Sequence, residues 1–221
     1  MTRPTTEHSA RYRDALADGR LHSPTFERNA GPVIDGLAPY LAGLSGHALE
    51  IGSGPGRHVC AFARAFPGLA WTPSDPDPVH RKSIAAWAAH EAAPVAAPLD
   101  LDAAGDWAAR GDVAALAPLR LVIAMNVIHI APFAVAEGLV AGAGRALAPG
   151  GYLAFYGPFR ENGAHTGDGN RIFDARLRAD NADWGLRDTA EITGAARTAG
   201  LETTALLAMP ANNRILLFRK S

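Results

Sequence analysis

The sequence ALEIGSGPGRH, residues 48–58, changes character in its middle. Its mostly apolar start is suited to a short buried strand, and an apolar pattern of helical spacing begins just after its last glycine. The glycines at positions 52, 54 and 56 allow the backbone to adopt positive φ and to approach a ligand closely. Unpaired N–H groups at the start of the following helix point toward the same place. The stretch therefore predicts a strand, a nucleotide-binding turn and a helix.

The spacing of these glycines indicates which nucleotide is bound. The dinucleotide fingerprint requires a glycine three residues after the second one, but Arg57 occupies that position. The pattern Glu-x-Gly-x-Gly-x-Gly instead resembles motif I of the class I S-adenosylmethionine (SAM)-dependent methyltransferases. An acidic residue about twenty positions beyond the turn, after the next predicted strand, can accept hydrogen bonds from both ribose hydroxyls. The predicted cofactor contacts from this region are Glu50, Gly52, Ser53, Gly54, Gly56 and Asp75. The alternative is a glycine-rich turn without a ligand.

Composition narrows the class of protein. The 221 residues suit one large α/β domain, and the net charge of −1 with scattered basic residues gives no electrostatic footprint for nucleic acid. The single cysteine, Cys60, and the spacing of the histidines indicate no disulfide framework and no metal site. Residues 1–10 lack the apolar core of a signal peptide, and no stretch is apolar enough to span a membrane. We therefore expect a cytoplasmic protein with a small-molecule substrate.

Hydrophobic periodicity predicts a doubly wound, Rossmann-like α/β fold with a seven-stranded sheet. The predicted strands are residues 48–51, 69–73, 95–99, 119–124, 152–156, 201–208 and 214–218. Asp77 and Pro78 predict the cap and the first residue of the helix after the second strand. A Pro-Gly-Gly hinge at residues 149–151 precedes the fifth strand, and a terminal hairpin makes the last strand antiparallel, as in class I methyltransferases. In such folds, ligands lie outside the carboxyl ends of the central strands.

Two further strand ends carry polar candidates for the cofactor site. In class I methyltransferases an acidic residue after the third strand commonly accepts a hydrogen bond from the adenine amino group. Leu101 and Asp102 match this position, with Asp100 as the second candidate, and either acid is alternatively the cap of the helix containing Trp107. Asn126 follows the fourth strand, at the rim of the cleft.

The N-terminal region supplies another pair of cofactor candidates. Ser23 is a fair N-cap with Pro24 at the first helical position, which places Arg28 and Asn29 about one turn further on. These two side chains can close over the carboxylate of the ligand, and the alternative is a solvated helix end. We therefore predict an N-terminal lid segment over residues 1–30 and a SAM-binding domain over residues 31–221.

The chain departs from a minimal fold between residues 157 and 188. An insertion after the fifth strand lies over the mouth of the cleft, where acceptors are selected, so we predict a second lid over this range. The candidate substrate contacts are Tyr156, Phe159, Asn170, Asn212 and Asn213. Asn212 and Asn213 are alternatively only the hairpin turn, which Asn forms readily.

Catalysis of methyl transfer depends mainly on alignment, and a base is needed only when the acceptor carries a proton. His129 is the candidate base because its unperturbed pKa is near neutral, and the alternative is a histidine packed under the following helix. Tyr156 can orient the acceptor or line the path of the methyl group, and the alternative is a core residue.

Segments outside the glycine turn resemble one family. They are Ser-Pro-x3-Arg-Asn at 23–29, Trp71-x-Pro-Ser-Asp75, Asn126-x2-His129-Ile130, Tyr156-Gly-Pro-Phe159, Asn170-x2-Phe173-Asp174, Trp184-Gly-x-Arg-Asp188 and Met209-Pro-Ala-Asn-Asn213. Together they resemble the DUF938, or methyltransferase-like 26, family from about Ser23 to Arg219. The resemblance implies the class I fold and SAM as the cofactor, and it leaves the acceptor open. Gly169 departs from the family pattern, in which a Ser precedes the Asn of the lid motif.

Three functions are compatible with these features. The first is a SAM-dependent methyltransferase that acts on a small-molecule acceptor. The second is a cyclase of the same fold that converts SAM itself into a small cyclic amino acid with release of methylthioadenosine. It is suggested by an aromatic and amide-rich lid that leaves little room beyond SAM. The third is a non-catalytic SAM-binding module.

Overall fold

The computed structural model describes residues 16–221, which alternate between strands and helices. The strands are β1 (Gly46–Ile51), β2 (Leu69–Ser74), β3 (Leu119–Met125), β4 (Leu147–Pro158), β5 (Arg160–Glu161), β6 (Ala164–His165), β7 (Leu201–Ala208) and β8 (Asn213–Lys220). The α-helices are α1 (Phe26–Leu41), α2 (Arg57–Ala65), α3 (Pro78–His90), α4 (Gly111–Ala114), α5 (Phe133–Ala146), α6 (Asp168–Asp180) and α7 (Thr189–Thr198). Among these helices, none has the length and apolar character that a membrane crossing needs.

Six of the strands form one sheet in the order β2-β1-β3-β4-β8-β7. β1 runs parallel to β2 and β3, and β3 runs parallel to β4. β8 is antiparallel to both of its neighbours, β4 and β7. This topology confirms the predicted doubly wound α/β fold with an antiparallel last strand.

The predicted number of strands is wrong, because residues 95–99 do not form a continuous third strand and the described sheet has six strands. The segment still follows β2 in parallel, with bridges from its two ends to Trp71 and Ser74. Pro73 in β2 and Pro98 in the segment lack the N–H groups that a continuous ladder would need. Residues 95–99 therefore flank the edge strand β2 through two isolated bridges and do not form a seventh strand.

Helices cover both faces of the sheet, and each face has its own apolar core. In β3, Ile123 belongs to the core that includes residues of α1, α2 and α3, whereas its neighbour Val122 belongs to the core with α5 and α7. Such strands are apolar on both sides because both faces are buried. The polar positions at this sheet are therefore concentrated where the strands end.

Helix starts agree only in part with the sequence predictions. Pro78 is the first residue of α3, and the Asp77 carboxylate accepts a hydrogen bond from the Val79 N–H at 2.8 Å, as predicted for a cap. The N-cap of α1 is Thr25 rather than Ser23, because the Ser23 carbonyl already accepts the Phe26 N–H in a turn. The start of α1 is therefore shifted by two residues.

The predicted lid, residues 157–188, contains the short β5–β6 ribbon and α6. Within this lid, the carboxylate of Asp174 in α6 has three hydrogen-bonding partners. Its carboxylate accepts hydrogen bonds from the Leu186 N–H at 2.7 Å and from Arg178, and it lies 2.9 Å from His165 Nε2. Burial favours the protonated form of Asp174, but these partners outweigh burial and lower its pKa. The ionised Asp174 carboxylate therefore links the β5–β6 ribbon, through His165, to the end of the insertion at Leu186. Of the predicted N-terminal lid, residues 1–15 lie outside the described residues.

Candidate active site

Two neighbouring cavities lie at the carboxyl ends of β1 and β3. The glycine-turn cavity is lined mainly by residues 50–55, 75–76, 101–103 and 125–127. The lid cavity is lined by parts of the ranges 24–29, 126–130, 158–173 and 211–213. Thr25, Asn126 and Ile130 belong to the walls of both cavities. Two molecules bound in them would therefore meet at this shared wall.

The three glycines of the turn have different neighbours. A Cβ added to Gly52 would lie 2.6 Å from a Val127 methyl carbon, and one added to Gly56 would lie 2.6 Å from Ile84 Cα. A Cβ added to Gly54 would meet nothing within 4 Å, and Gly54 lines the cavity. Gly56, which we also predicted as a cofactor contact, does not line the cavity and packs closely against α3. Gly54 is the position that leaves space for a ligand.

Asp75 holds the glycine turn in place from the end of β2. Its carboxylate accepts hydrogen bonds from the Gly54 N–H and the Asp77 N–H, each at 2.9 Å. The ring nitrogen His80 Nδ1 lies 3.1 Å from the same carboxylate. Burial opposes the charged form of His80, but the hydrogen bond and charge of Asp75 outweigh burial and raise the pKa of the imidazole. A buried acid at the cavity wall is thus fixed in orientation.

Glu50, at the end of β1, is the second acid of the glycine-turn cavity. Its side chain is buried, and among residues 16–221 its Oε2 has no hydrogen-bond partner. Burial raises the pKa of this carboxyl to about 7, with the charge of Asp75 acting in the same direction and the Ser53 hydroxyl opposing it. Buried polar groups are normally paired, so the geometry leaves a place for a hydrogen-bonding or cationic ligand group.

His58 is a site residue that the sequence reasoning missed. It lies in the first turn of α2, lines the glycine-turn cavity and is 9% exposed. Its Nε2 is buried with no hydrogen-bond partner in the described part of the chain. Burial, with the charge of Arg57, lowers its pKa to about 4, so the ring is neutral. The signal was present in the sequence, because the first turn of a helix after a glycine turn faces the ligand.

The segment after residues 95–99 contributes Leu101 and Asp102 to the glycine-turn cavity. Asp102 Oδ1 accepts a hydrogen bond from the Ala104 N–H at 3.0 Å, so this acid also stabilises the local turn. Asp100, the second candidate, does not line the cavity, and its carboxylate lies 3.4 Å from Arg81. Of the two acids, only Asp102 is placed to meet a ligand.

Arg28 and Asn29, which we predicted as contacts for the carboxylate of the cofactor, line the lid cavity and not the glycine-turn cavity. This placement follows from the position of α1. Its N-cap, Thr25, borders both cavities, and the first turn of the helix faces the lid cavity. Arg28 Nε donates a hydrogen bond to the Asn29 side-chain oxygen at 3.2 Å. The preceding charged residue, Glu27, instead pairs with Arg57.

His129 and Asn126 reach the cavities from the segment after β3. Asn126 adopts a left-handed backbone with φ of +56° directly after the strand, and it borders both cavities. His129 is buried and lines the lid cavity, where its ring packs edge-on against Phe173 with 5.6 Å between ring centroids. The candidate base therefore lies beside the shared wall.

Tyr156 lies behind the lid cavity and lines neither cavity. Its buried hydroxyl accepts a hydrogen bond from Asn213 Nδ2 at 3.0 Å, and Asn213 does line the lid cavity. Burial raises the pKa of this phenol, while the hydrogen bond from Asn213 and the charge of Arg28 act in the opposite direction. In this geometry Tyr156 supports Asn213 and does not itself line the cavity in which we predicted its substrate contact.

Of the remaining predicted substrate contacts, only Asn170 lines the lid cavity. Its Nδ2 donates to Thr166 Oγ1 at 2.8 Å and to the Asn212 carbonyl at 3.1 Å. Asn212 itself is exposed with φ of +57°, so it forms the turn before β8 and does not line the cavity. Phe159 is 1% exposed within the core beneath α5 and α7, which leaves no surface for a substrate.

The sheet order and the antiparallel β8 define the class I methyltransferase fold, and solved structures agree. An O-methyltransferase family protein from Burkholderia thailandensis has a TM-score of 0.73 and 17% identity, over 87% of this chain and 56% of that one. Human N-acetylserotonin methyltransferase, solved with SAM, has a TM-score of 0.72 and 15% identity, over 89% and 53% of the two chains. The mitomycin 7-O-methyltransferase MmcR has a TM-score of 0.67 and 18% identity, over 89% and 54%. This chain thus spans about half the length of those proteins.

The family model described as "Protein of unknown function (DUF938)" matches residues 20–220. The chain belongs to this family. The match confirms the resemblance that the motifs between Ser23 and Arg219 predicted.

Proposed function

We propose that this protein is a SAM-dependent methyltransferase that acts on a small-molecule acceptor. The observation that supports it most is the pair of cavities with a common wall at Thr25, Asn126 and Ile130. In the proposal, the glycine-turn cavity holds SAM and the lid cavity holds the acceptor. When bound, SAM supplies an activated methyl group.

The glycine-turn cavity has groups that suit the parts of SAM. The partnerless oxygen of Glu50 fits an ammonium group, and the buried Nε2 of His58 offers a second polar contact. The fixed carboxylate of Asp75 suits the ribose hydroxyls, while Leu101 and Asp102 are placed for the adenine ring. The solved structure of human N-acetylserotonin methyltransferase, which has a similar fold, contains bound SAM.

His129 is the proposed general base for an acceptor with a hydroxyl or amine. Its position in the lid cavity, three residues beyond the shared Asn126, brings an imidazole close to the place where the acceptor meets the methyl group. Phe173 and Pro158 supply apolar lining at that place. Alignment of the two reactants by the walls is the larger part of the proposed catalysis.

The cyclase hypothesis loses its main support in this structure. It required a pocket with little room beyond SAM, whereas the lid cavity adds about 470 Å³ next to the glycine-turn cavity. The glycine-turn cavity itself measures about 150 Å³. Cavities of roughly 300–1,000 Å³ are typical for small ligands, so the size of the adjoining lid cavity supports a second substrate. A methyltransferase explains both cavities.

The function is tested by product analysis. We expect purified protein with SAM and a low-molecular-weight metabolite extract to form S-adenosylhomocysteine (SAH), and protein with SAM alone to form neither SAH nor methylthioadenosine. Loss of a general base lowers rates by about 10²- to 10⁴-fold, so His129→Gln should reduce extract-dependent SAH formation at least about 100-fold. His22→Gln, at an exposed position, is the matched control with unchanged turnover.

Mass spectrometry of both nucleoside products decides between the alternatives. Methylthioadenosine formed from SAM alone would support the cyclase. Undiminished turnover by His129→Gln would remove His129 from the proposed role.

Removal of the Asp75 charge is expected to weaken SAH binding. Hydrogen bonds to charged groups contribute about 1–3 kcal/mol, so Asp75→Asn should raise the Kd for SAH about 5- to 140-fold. Asp100→Asn, outside the cavity, is the matched control and should keep the wild-type Kd. Isothermal titration calorimetry measures both variants, and equal Kd values for Asp75→Asn and wild type would contradict the ribose assignment.

A further inference from the structure

The lid cavity has an unbalanced charge. The lining residues that the structure describes include one arginine, Arg28, and no Lys, Asp or Glu. The other polar side chains of the wall include four amides, Asn29, Asn126, Asn170 and Asn213. A ligand with a negative charge would therefore meet a cation and hydrogen-bonding groups and no repelling carboxylate.

Arg28 is available to pair with such a ligand. Within residues 16–221 its guanidinium donates from Nε to the Asn29 side chain, and it forms no ion pair. The neighbouring Glu27 is turned toward Arg57, so it does not neutralise Arg28. The two terminal amino groups of a guanidinium bind carboxylate or phosphate oxygens in a bidentate manner.

The start of α1 adds positive potential at the same place. Pro24 and Thr25 precede this 16-residue helix and line the cavity, and Thr25 makes no side-chain hydrogen bond to the first turn. The aligned peptide dipoles give the N-terminal end of a helix a partial positive charge. Arg28 and the end of α1 therefore favour the same sign of ligand charge.

Two of the amides have their orientation fixed by neighbours. Both N–H groups of Asn170 are directed to Thr166 Oγ1 and to the Asn212 carbonyl, so its side-chain oxygen is the atom left for a ligand. Asn213 donates a hydrogen bond from its own side-chain nitrogen, Nδ2, to the Tyr156 hydroxyl. Oxygen atoms held in this way accept hydrogen bonds, so the wall suits a ligand with a hydroxyl or amine donor as well as an anion.

We propose that the acceptor is a small anionic molecule that carries a carboxylate or phosphate group and a hydroxyl or amine. Arg28 pairs with the anionic group, and the amides of Asn170 and Asn213 receive the donor group. The inference rests on the proposed function, because it assigns the substrate class of the same site.

The test uses protein saturated with SAH and calorimetric titration with three probes of similar size. These are 4-hydroxybenzoate, 4-hydroxyphenyl phosphate and the neutral 4-hydroxybenzamide. We expect at least one anion to bind tenfold or more tightly than the amide, and the tighter anion tells a carboxylate site from a phosphate site. Arg28→Gln should lower the affinity for that anion at least tenfold and remove the salt dependence of its binding. Arg28→Lys should restore part of the affinity. Arg171→Gln, an exposed position of α6 outside the cavity wall, is the control with unchanged affinity.

Separate titrations with SAH distinguish this inference from the proposed function. Arg28→Gln should bind SAH as wild type does, because Arg28 lies outside the glycine-turn cavity. If SAH binds normally and the anions bind no better than the amide, or bind Arg28→Gln as tightly as wild type, the inference is wrong and the proposed function stands. If wild type does not bind SAH, the proposed function fails, and the same anion titrations without SAH still judge the charge preference of the lid cavity.

Discussion

Gly54→Val is expected to abolish measurable SAH binding in a protein that still folds. An added Cβ at Gly54 has nothing within 4 Å, so the valine side chain would fill the glycine-turn cavity rather than clash with the protein. The φ of +54° makes the substitution strained, at a cost of about 1–3 kcal/mol in the free energy of unfolding. Calorimetry with SAH and chemical denaturation measure the two effects.

Gly56→Ala is the matched control for that experiment. Its Cβ would lie 2.6 Å from the backbone of Ile84, so overpacking should lower stability by about 1–3 kcal/mol in addition to the strain of positive φ. The folded fraction should keep its affinity because Gly56 does not line the cavity. Normal SAH affinity of Gly54→Val would mean that SAM binds elsewhere.

Glu50→Gln is expected to stabilise the ligand-free protein and to weaken SAH binding. The folded-state pKa of Glu50 is about 7 against an ordinary value of 4.5, so the folded state keeps a proton that the unfolded state loses between these pH values. The free energy of unfolding therefore falls as pH rises through this window, by about 3 kcal/mol in total. A glutamine has no such penalty, so the variant should gain up to about that amount at pH 8 and nothing at pH 4.

Binding should show the opposite dependence on pH. In the proposed function, the ionised Glu50 carboxylate pairs with the ammonium group of SAH, so we expect the wild-type affinity to rise as pH increases through about 7. Loss of one partner of a buried charge pair costs about 2–5 kcal/mol, and Glu50→Gln should lose both this affinity and the pH dependence. Glu137→Gln, on the exposed side of α5, is the control for both measurements. A variant that is less stable than wild type at pH 8, or that binds SAH with the wild-type pH profile, would contradict the assignment.

Local features of the chain could be predicted from sequence because they depend on near neighbours. The glycine turn and the cap formed by Asp77 and Pro78 are of this kind. The apolar character of residues 95–99 predicts a strand, but Pro98 and Pro73 remove hydrogen-bond donors from both sides of the ladder. Proline content outweighs apolar pattern at a sheet edge.

Placement of side chains between distant segments could not be predicted in the same way. The cavity that Arg28 faces depends on how α1 docks, and the bond from Asn213 to Tyr156 joins residues 57 apart in the chain. Phe159 directly follows β4, where the periodic pattern ends, so nothing in the sequence indicated that it returns to the core. The histidine spacing, which indicates no metal site, does not single out His58 as a cavity residue.

The wall shared by the two cavities has a thermodynamic consequence. Asn126 has a left-handed backbone and lines both cavities, so a ligand in either cavity would lie next to the same residue. If a ligand in one cavity changes the binding free energy of a ligand in the other, the second ligand changes the binding free energy of the first by the same amount. If Asn126 couples the two cavities, the affinity of each one depends to the same extent on whether the other is occupied.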